Sequence, residues 1–206
     1  MRKIDLDSWE RTDQFRFFRG FERPHYATTA RIDVTRLLAE RKAEGMNAYR
    51  ACLYAIGAGL HAVPELCMRF EGDEVYAFDR LDLSMTVPRE DGTFRYAYVS
   101  WQPDFVAFDA MAADLIDRAR RQDALNANTG GLGVAYLSCM PWLDYSSINN
   151  AMPGPDDCVP RINWGKFVHV DRRWDMAMTI EVHHALVDGR QVGAYFAAVQ
   201  DALDVI

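Results

Sequence analysis

Long apolar runs are missing from this sequence. Its hydrophobic stretches are short and broken by charge, whereas a membrane-spanning helix needs about 20 consecutive apolar residues. The opening residues, Met1 to Asp7, lack the apolar centre of a secretory signal. Cysteine is scarce: Cys52, Cys67, Cys139 and Cys158 form no CxxC pair and no zinc-type spacing. Without an export signal, the expectation is four reduced thiols in a cytoplasm. Positive charge is also short. Lys and Arg number 23 against 30 Asp and Glu, a formal charge of −7, and no basic cluster offers a nucleic acid its phosphate contacts. Arg118, Arg120 and Arg121 read as the solvated face of a helix. Repeats, low-complexity tracts and linkers are absent too. With half of its 206 residues apolar, the chain is expected to form one domain over residues 1–206 with a substantial core.

What is present is organised around the C-terminal stretch from Met176 to Leu203. Trp174, Met176, Met178, Ile180 and Val182 alternate with Asp175, Ala177, Thr179 and Glu181, the period-2 pattern of a half-buried strand. Continued, the alternation puts His184 on the apolar face and His183 on the other. Beyond Gly189, Val192, Phe196, Val199 and Leu203 fall at helical spacing. Asp188 and Gly189 therefore stand where a buried strand turns into a helix.

Upstream, the aromatics from Phe15 to Phe21 read as packing surface. Ala27 to Val34 is a strand ending in Asp33, and Val34 to Lys42 a short helix. Asn47 caps a helix over Ala48–Val63, which Pro64 helps to stop, and Gly57 and Gly59 suggest close packing on a sheet. Leu66–Phe70, Glu74–Phe78, Leu83–Val87 and Thr93–Trp101 are successive strands, with hairpin turns at Gly72-Asp73 and Asp91-Gly92. Phe105–Leu125 is a helix and Asn126–Gly133 a polar loop. Val134–Met140 is a strand, Asp144–Pro160 is irregular, and Ile162–Val170 is a strand. The expected architecture is α+β: a two-layer sandwich of a mixed, largely antiparallel sheet with helices on one side.

The junction carries a motif. His183-His184, followed by Asp188-Gly189, has the form His-His-x-x-x-Asp-Gly, in which the chain resembles CoA-dependent acyltransferases. That pattern alone leaves peptide-synthetase condensation domains and dihydrolipoamide acyltransferases open. On a chain this short, with Ala185 after the histidines, it is similar to the chloramphenicol acetyltransferase family. Three further matches extend the likeness from Trp9 to Leu203. They are Trp9-x-Arg11, with a gap-free run to Asp33; Pro141-Trp142 ahead of Ser147; and Gly165-Lys166-Phe167.

The resemblance implies acetyl transfer from acetyl-CoA to a hydroxyl of a small molecule, direct within a ternary complex. His184 matches the general base, and Ser147 the hydroxyl that stabilises the oxyanion; its neighbour Ser146 is set aside because Ser147 keeps the family's spacing from Trp142. Asp188 is implied to pair with Arg11 as a brace for the turn, not as a triad partner, with a backbone carbonyl orienting His184. Gly189 fits a tight turn, and His183 reads as structural. Asn163 stands where the family has threonine near the reacting centre, and Phe167 where it has tyrosine near the cofactor. Lys166 fits either CoA phosphates or an exposed strand end. The acceptor walls would be Phe18, Pro24 and Tyr26, although Glu22, Arg23 and His25 make that stretch polar for a nitrophenyl ring. Chloramphenicol, with a role in antibiotic resistance, and another hydroxylated or thiol acceptor both stay open, as does a non-catalytic, ligand-binding trimer. A homotrimer with sites between subunits is implied. No metal is expected, since adjacent histidines on a strand point to opposite faces.

Overall fold

In the computed structural model, residues 1–128 and 131–206 are described; Thr129 and Gly130, inside the expected loop Asn126–Gly133, lie outside them. The chain runs through β1 (Arg2–Lys3), α1 (Thr12–Arg19), β2 (His25–Asp33), α2 (Ala48–Ala62), β3 (Met68–Glu71), β4 (Glu74–Ala77), β5 (Asp82–Pro88) and β6 (Phe94–Ser100). Then come α3 (Phe105–Arg120), β7 (Val134–Cys139), β8 (Arg161–Trp164), β9 (Val168–Val170), β10 (Arg173–His183) and α4 (Gly189–Val205).

Local chemistry sets many of these boundaries. The Asn47 side chain accepts from the Arg50 N–H at 3.0 Å to start α2, and Asp104 accepts from Ala107 at 2.8 Å to start α3. Gly72 and Gly92 take left-handed φ values of 56° and 79° in the two expected hairpins.

The main sheet has the order β2-β10-β8-β7-β5-β6, with β9 also paired to β10. Its β2/β10, β10/β8, β10/β9 and β5/β6 pairings are antiparallel, and β5/β7 and β7/β8 are parallel. The sheet is therefore mixed and largely antiparallel, as the sequence leads one to expect. A smaller sheet, β1-β4-β3, stands apart.

β10 is the spine. Met176, Met178 and Ile180 are fully buried, each worth about 1.5–3 kcal/mol on leaving water. They face the helix layer, where the Tyr195 hydroxyl of α4 donates to Met178 Sδ at 3.6 Å. The opposite face carries Thr179 and Glu181 and meets the irregular stretch 141–160, from which the Asn150 backbone and side-chain N–H groups reach Glu181 Oε2 at 2.7 and 2.8 Å.

The structure departs from expectation in four places. The aromatic stretch near the N-terminus contains a helix, α1, which buries Phe15 against Trp9 and Phe70. The strand expected over Ile162–Val170 breaks between Trp164 and Val168, where the Lys166 N–H donates to the Leu143 carbonyl at 2.7 Å and Gly165 passes so close that a Cβ would sit 2.6 Å from that oxygen. Helix α3 stops at Arg120, and the next residues extend along β6, where Tyr96 N–H donates to Leu125 O at 3.3 Å and Arg95 Nε to Gln122 O at 3.0 Å. Gly59 admits α4 rather than the sheet, since a Cβ would lie 2.5 Å from Val199.

Candidate active site

Strand β10 ends at His183, one residue before the alternation would carry His184 onto the apolar face. The His184 N–H still continues the ladder by donating to the Pro24 carbonyl at 2.9 Å. Its imidazole is then held from two sides. The Phe18 ring stacks on it with centroids 3.8 Å apart and 6° from parallel, and Tyr26 lies 4.7 Å away. Tyr26 is fixed in turn by its hydroxyl, which donates to Val187 O at 3.3 Å. Burial, then the nearby Asp188 carboxylate, pushes the Tyr26 phenol up to about 12. His184 Nδ1 is buried without a hydrogen-bond partner among the described residues; the backbone carbonyl expected there is not found.

Arg11 and Asp188, 177 positions apart, meet at 2.7 Å. Asp188 does two jobs at once. One carboxylate oxygen holds Arg11 and the other accepts from the Arg190 N–H at 3.0 Å, while Gln191 returns a bond to the Asp188 N–H at 3.2 Å. This capping box starts α4. Partial burial opposes the charge on Asp188, but the Arg11 hydrogen bond and the helix N–H groups outweigh it and hold the carboxyl below its usual range. Arg11 Nε and Nη2 are buried and unpartnered among the described residues. Gly189 is not required by a steric clash at the turn. It is exposed at the first turn of α4, and a Cβ would meet nothing within 4 Å.

His183 points the other way, as the alternation requires. Its Nε2 donates to Pro155 O at 2.9 Å and its Nδ1 accepts from the Ala185 N–H at 3.1 Å. That pattern needs a neutral ring. Burial, helped by His25, lowers its pKa to about 4.

Two clefts open elsewhere. One, of about 760 Å³, is mostly apolar and includes Trp142, Trp164, Lys166 and Phe167. The other, of about 370 Å³, is mixed: polar side chains including Asn163, Asn150, Ser84 and Arg161 share it with Tyr96, Tyr136 and Leu137. Thr86 and Ser138 line both, so the clefts share a wall. Both volumes lie in the range of small-molecule sites.

Within one chain, Arg11, Phe18, Pro24, Tyr26 and Asp188 gather around His184. Ser147, Asn163, Lys166 and Phe167 do not. Ser147 is exposed, and no hydrogen bond joins it to His184 among the described residues. Phe18 and Pro24 surround the histidine rather than lining the mixed cleft. Ser84, Thr86, Ser138 and Asn150 were not singled out from the sequence. A signal existed for the strand residues: Ser84 and Thr86 alternate with Leu83, Met85 and Val87, marking a polar sheet face beneath a covering segment.

The fold has solved counterparts. A chloramphenicol acetyltransferase structure superposes with a TM-score of 0.91 at 27% identity, covering 98% of this chain and 99% of that one. A probable dihydrolipoamide acetyltransferase from Listeria monocytogenes shares the fold at 15% identity and a TM-score of 0.70. The matches by sequence define an acyltransferase. The family model for chloramphenicol acetyltransferase matches residues 1–200. Chloramphenicol acetyltransferase 2 of Escherichia coli is 26% identical over 99% of this chain and 97% of its own length. The chloramphenicol acetyltransferase of Clostridium perfringens is 28% identical over 96% and 92%. This chain belongs to the chloramphenicol acetyltransferase family.

Proposed function

We propose that residues 1–206 act as one acyltransferase domain that moves an acetyl group from acetyl-CoA directly to a hydroxyl of a small molecule, with His184 as general base. The observation that carries this reading is the clamped imidazole, flat on Phe18 with Nδ1 buried. Neutral Nε2 takes the acceptor's proton as its oxygen bonds to the acetyl carbon. The tetrahedral oxyanion accepts a hydrogen bond from Ser147, the carbon–sulfur bond breaks, and the proton passes to the departing thiolate. Arg11 and Asp188 keep the turn that carries the base.

The apolar cleft suits the acetyl-CoA side, with Phe167 offering a ring face and Lys166, exposed at its edge, a positive charge. The mixed cleft with Asn163 suits the acceptor. The family resemblance implies a homotrimer, and the separation of Ser147 and both clefts from His184 within one chain supports sites in which one copy's histidine serves its neighbour's clefts. Four free thiols fit a cytoplasmic enzyme. Chloramphenicol, named in the relatives, is the first acceptor to try, and resistance to it is the biological role that its acetylation would give. Thiol release from acetyl-CoA should require an added alcohol; release at the same rate without one would overturn the reading.

A further inference from the structure

Resting on the reading of the cleft around Asn163 as the acceptor side, we infer that Glu181 is a positioning residue for that cleft. Through Asn150 it sets the Asn163 amide so that the carbonyl oxygen, Oδ1, accepts a hydrogen bond from the bound alcohol.

Glu181 is buried on β10, three positions before His184. Across the ladder it lies in register with Arg161, but that guanidinium is taken by Asp157 at 2.8 Å. Glu181 itself makes no ion pair among the described residues. Amide groups meet its charge instead: the Asn150 backbone N–H at 2.7 Å and Asn150 Nδ2 at 2.8 Å, both on Oε2. A buried charge is costly unless its hydrogen bonds are made, so these two contacts hold Asn150 firmly.

The contacts also have a direction. An ionised carboxylate only accepts, so Asn150 turns Nδ2 towards Glu181 and Oδ1 away from it. That Oδ1 accepts from Asn163 Nδ2 at 3.1 Å. With Nδ2 aimed at Asn150, Asn163 Oδ1 keeps its lone pairs and has no partner among the described residues. The backbone of Asn163 is pinned as well, between Ser138 and Thr179 in register, and its carbonyl accepts from the Tyr145 hydroxyl at 2.9 Å. The remaining freedom is a half-turn of the amide, which would replace the acceptor with a donor. The chain of bonds from Glu181 opposes that half-turn.

Asn163 and Asn150 both line the mixed cleft. Glu181 lines a different hollow, of about 380 Å³ beside Tyr26, which Asn150 also borders. Glu181 therefore acts on the cleft through Asn150 and not by touching the acceptor.

The test is acetyl-CoA thiol release with chloramphenicol, or with the most active alcohol of a panel, as the varied substrate. Asn163→Ala should lower kcat/KM for the alcohol by about tenfold, and Glu181→Leu and Asn150→Ala nearly as far, with the KM for acetyl-CoA changed less than twofold. Glu181→Gln keeps an accepting oxygen and should retain at least half of the wild-type value. Adding Glu181→Leu to Asn163→Ala should cost less than a further twofold, because the two act as one unit. Losses that multiply in the double variant, or a folded Glu181→Leu with wild-type kcat/KM, would overturn the inference while sustaining the transfer reading. Should Glu181→Leu fail to fold by circular dichroism, Asn150→Ala, which leaves the backbone N–H on Glu181, takes its place in the same cycle. If no alcohol releases thiol even with wild type, the transfer reading fails, and NMR of ¹⁵N-asparagine-labelled protein decides the inference alone. The Asn163 side-chain amide, assigned by its loss in Asn163→Ala, should exchange slowly in wild type and fast in Asn150→Ala and Glu181→Leu. Equal exchange in all three would overturn it.

Discussion

The imidazole of His184 lies flat on the phenyl ring of Phe18, with centroids 3.8 Å apart and planes 6° from parallel. Stacked rings contribute about 0.5–1.5 kcal/mol beyond their burial, and here that energy restrains one torsion of the base. Phe18→Ala should therefore lower kcat by up to about tenfold with little change in the KM for acetyl-CoA. Phe18→Tyr should retain most activity. Equal losses in the two variants would mean that ring stacking is not what positions His184.

Asp188 offers a separation of its two jobs. Asp188→Ala removes both the Arg11 ion pair and the cap on α4, a cap being worth about 0.5–2 kcal/mol. Asp188→Asn keeps a capping oxygen and loses the charge. Melting curves should place Asp188→Ala lowest, about 2–6 °C below wild type, with Asp188→Asn between them. Identical melting temperatures for the two variants would show that the cap contributes nothing.

His183 predicts a pH dependence of stability. In the fold its pKa is about 4; in the unfolded chain it returns to about 6.5. As pH falls below 6.5 the unfolded chain takes up a proton that the folded one refuses, so stability drops towards pH 4 and is fully present above 6.5. His61, whose pKa is also lowered by burial, acts in the same direction. Denaturant titrations should show His183 costing wild type about 2 kcal/mol between pH 7.5 and 5. The His183→Asn variant should show a shallower fall; parallel curves would contradict the neutral ring.

The sequence carries much of this fold in its local pattern. Strand β10 and helix α4 follow from a change of period at Asp188, and the Arg11–Asp188 pair followed from family likeness, although no local pattern links residues so far apart. What stayed hidden depended on tertiary contact. The break at Gly165 comes from the Leu143 carbonyl lying against it, and the end of α3 from side chains of β6 capturing the following backbone. The stacking of Phe18 needed α1, whose aromatics cluster too densely to reveal a helical stripe. Ser147 illustrates the other limit. Its spacing from Trp142 matches the family, yet in a single chain it is exposed, and the role proposed for it requires a neighbouring copy.

That neighbour can be tested by complementation. Ser147→Ala and His184→Ala should each be nearly inactive, the serine variant by about 10²–10³ in kcat. Mixed by unfolding and refolding together, they should recover a substantial fraction of wild-type activity, because some shared sites then pair an intact serine with an intact histidine. Light scattering of wild type should give a trimer. No recovery, with a monomeric mass, would remove the shared site.

The most direct test of the account is steady-state thiol release from acetyl-CoA by wild type and His184→Ala, with the best acceptor found and with folding matched by circular dichroism. A loss of about 10²–10⁴ in kcat is expected, with the secondary structure and the oligomer unchanged. A variant that keeps more than about a tenth of wild-type kcat, well short of what losing a general base costs, would show that His184 is not the base.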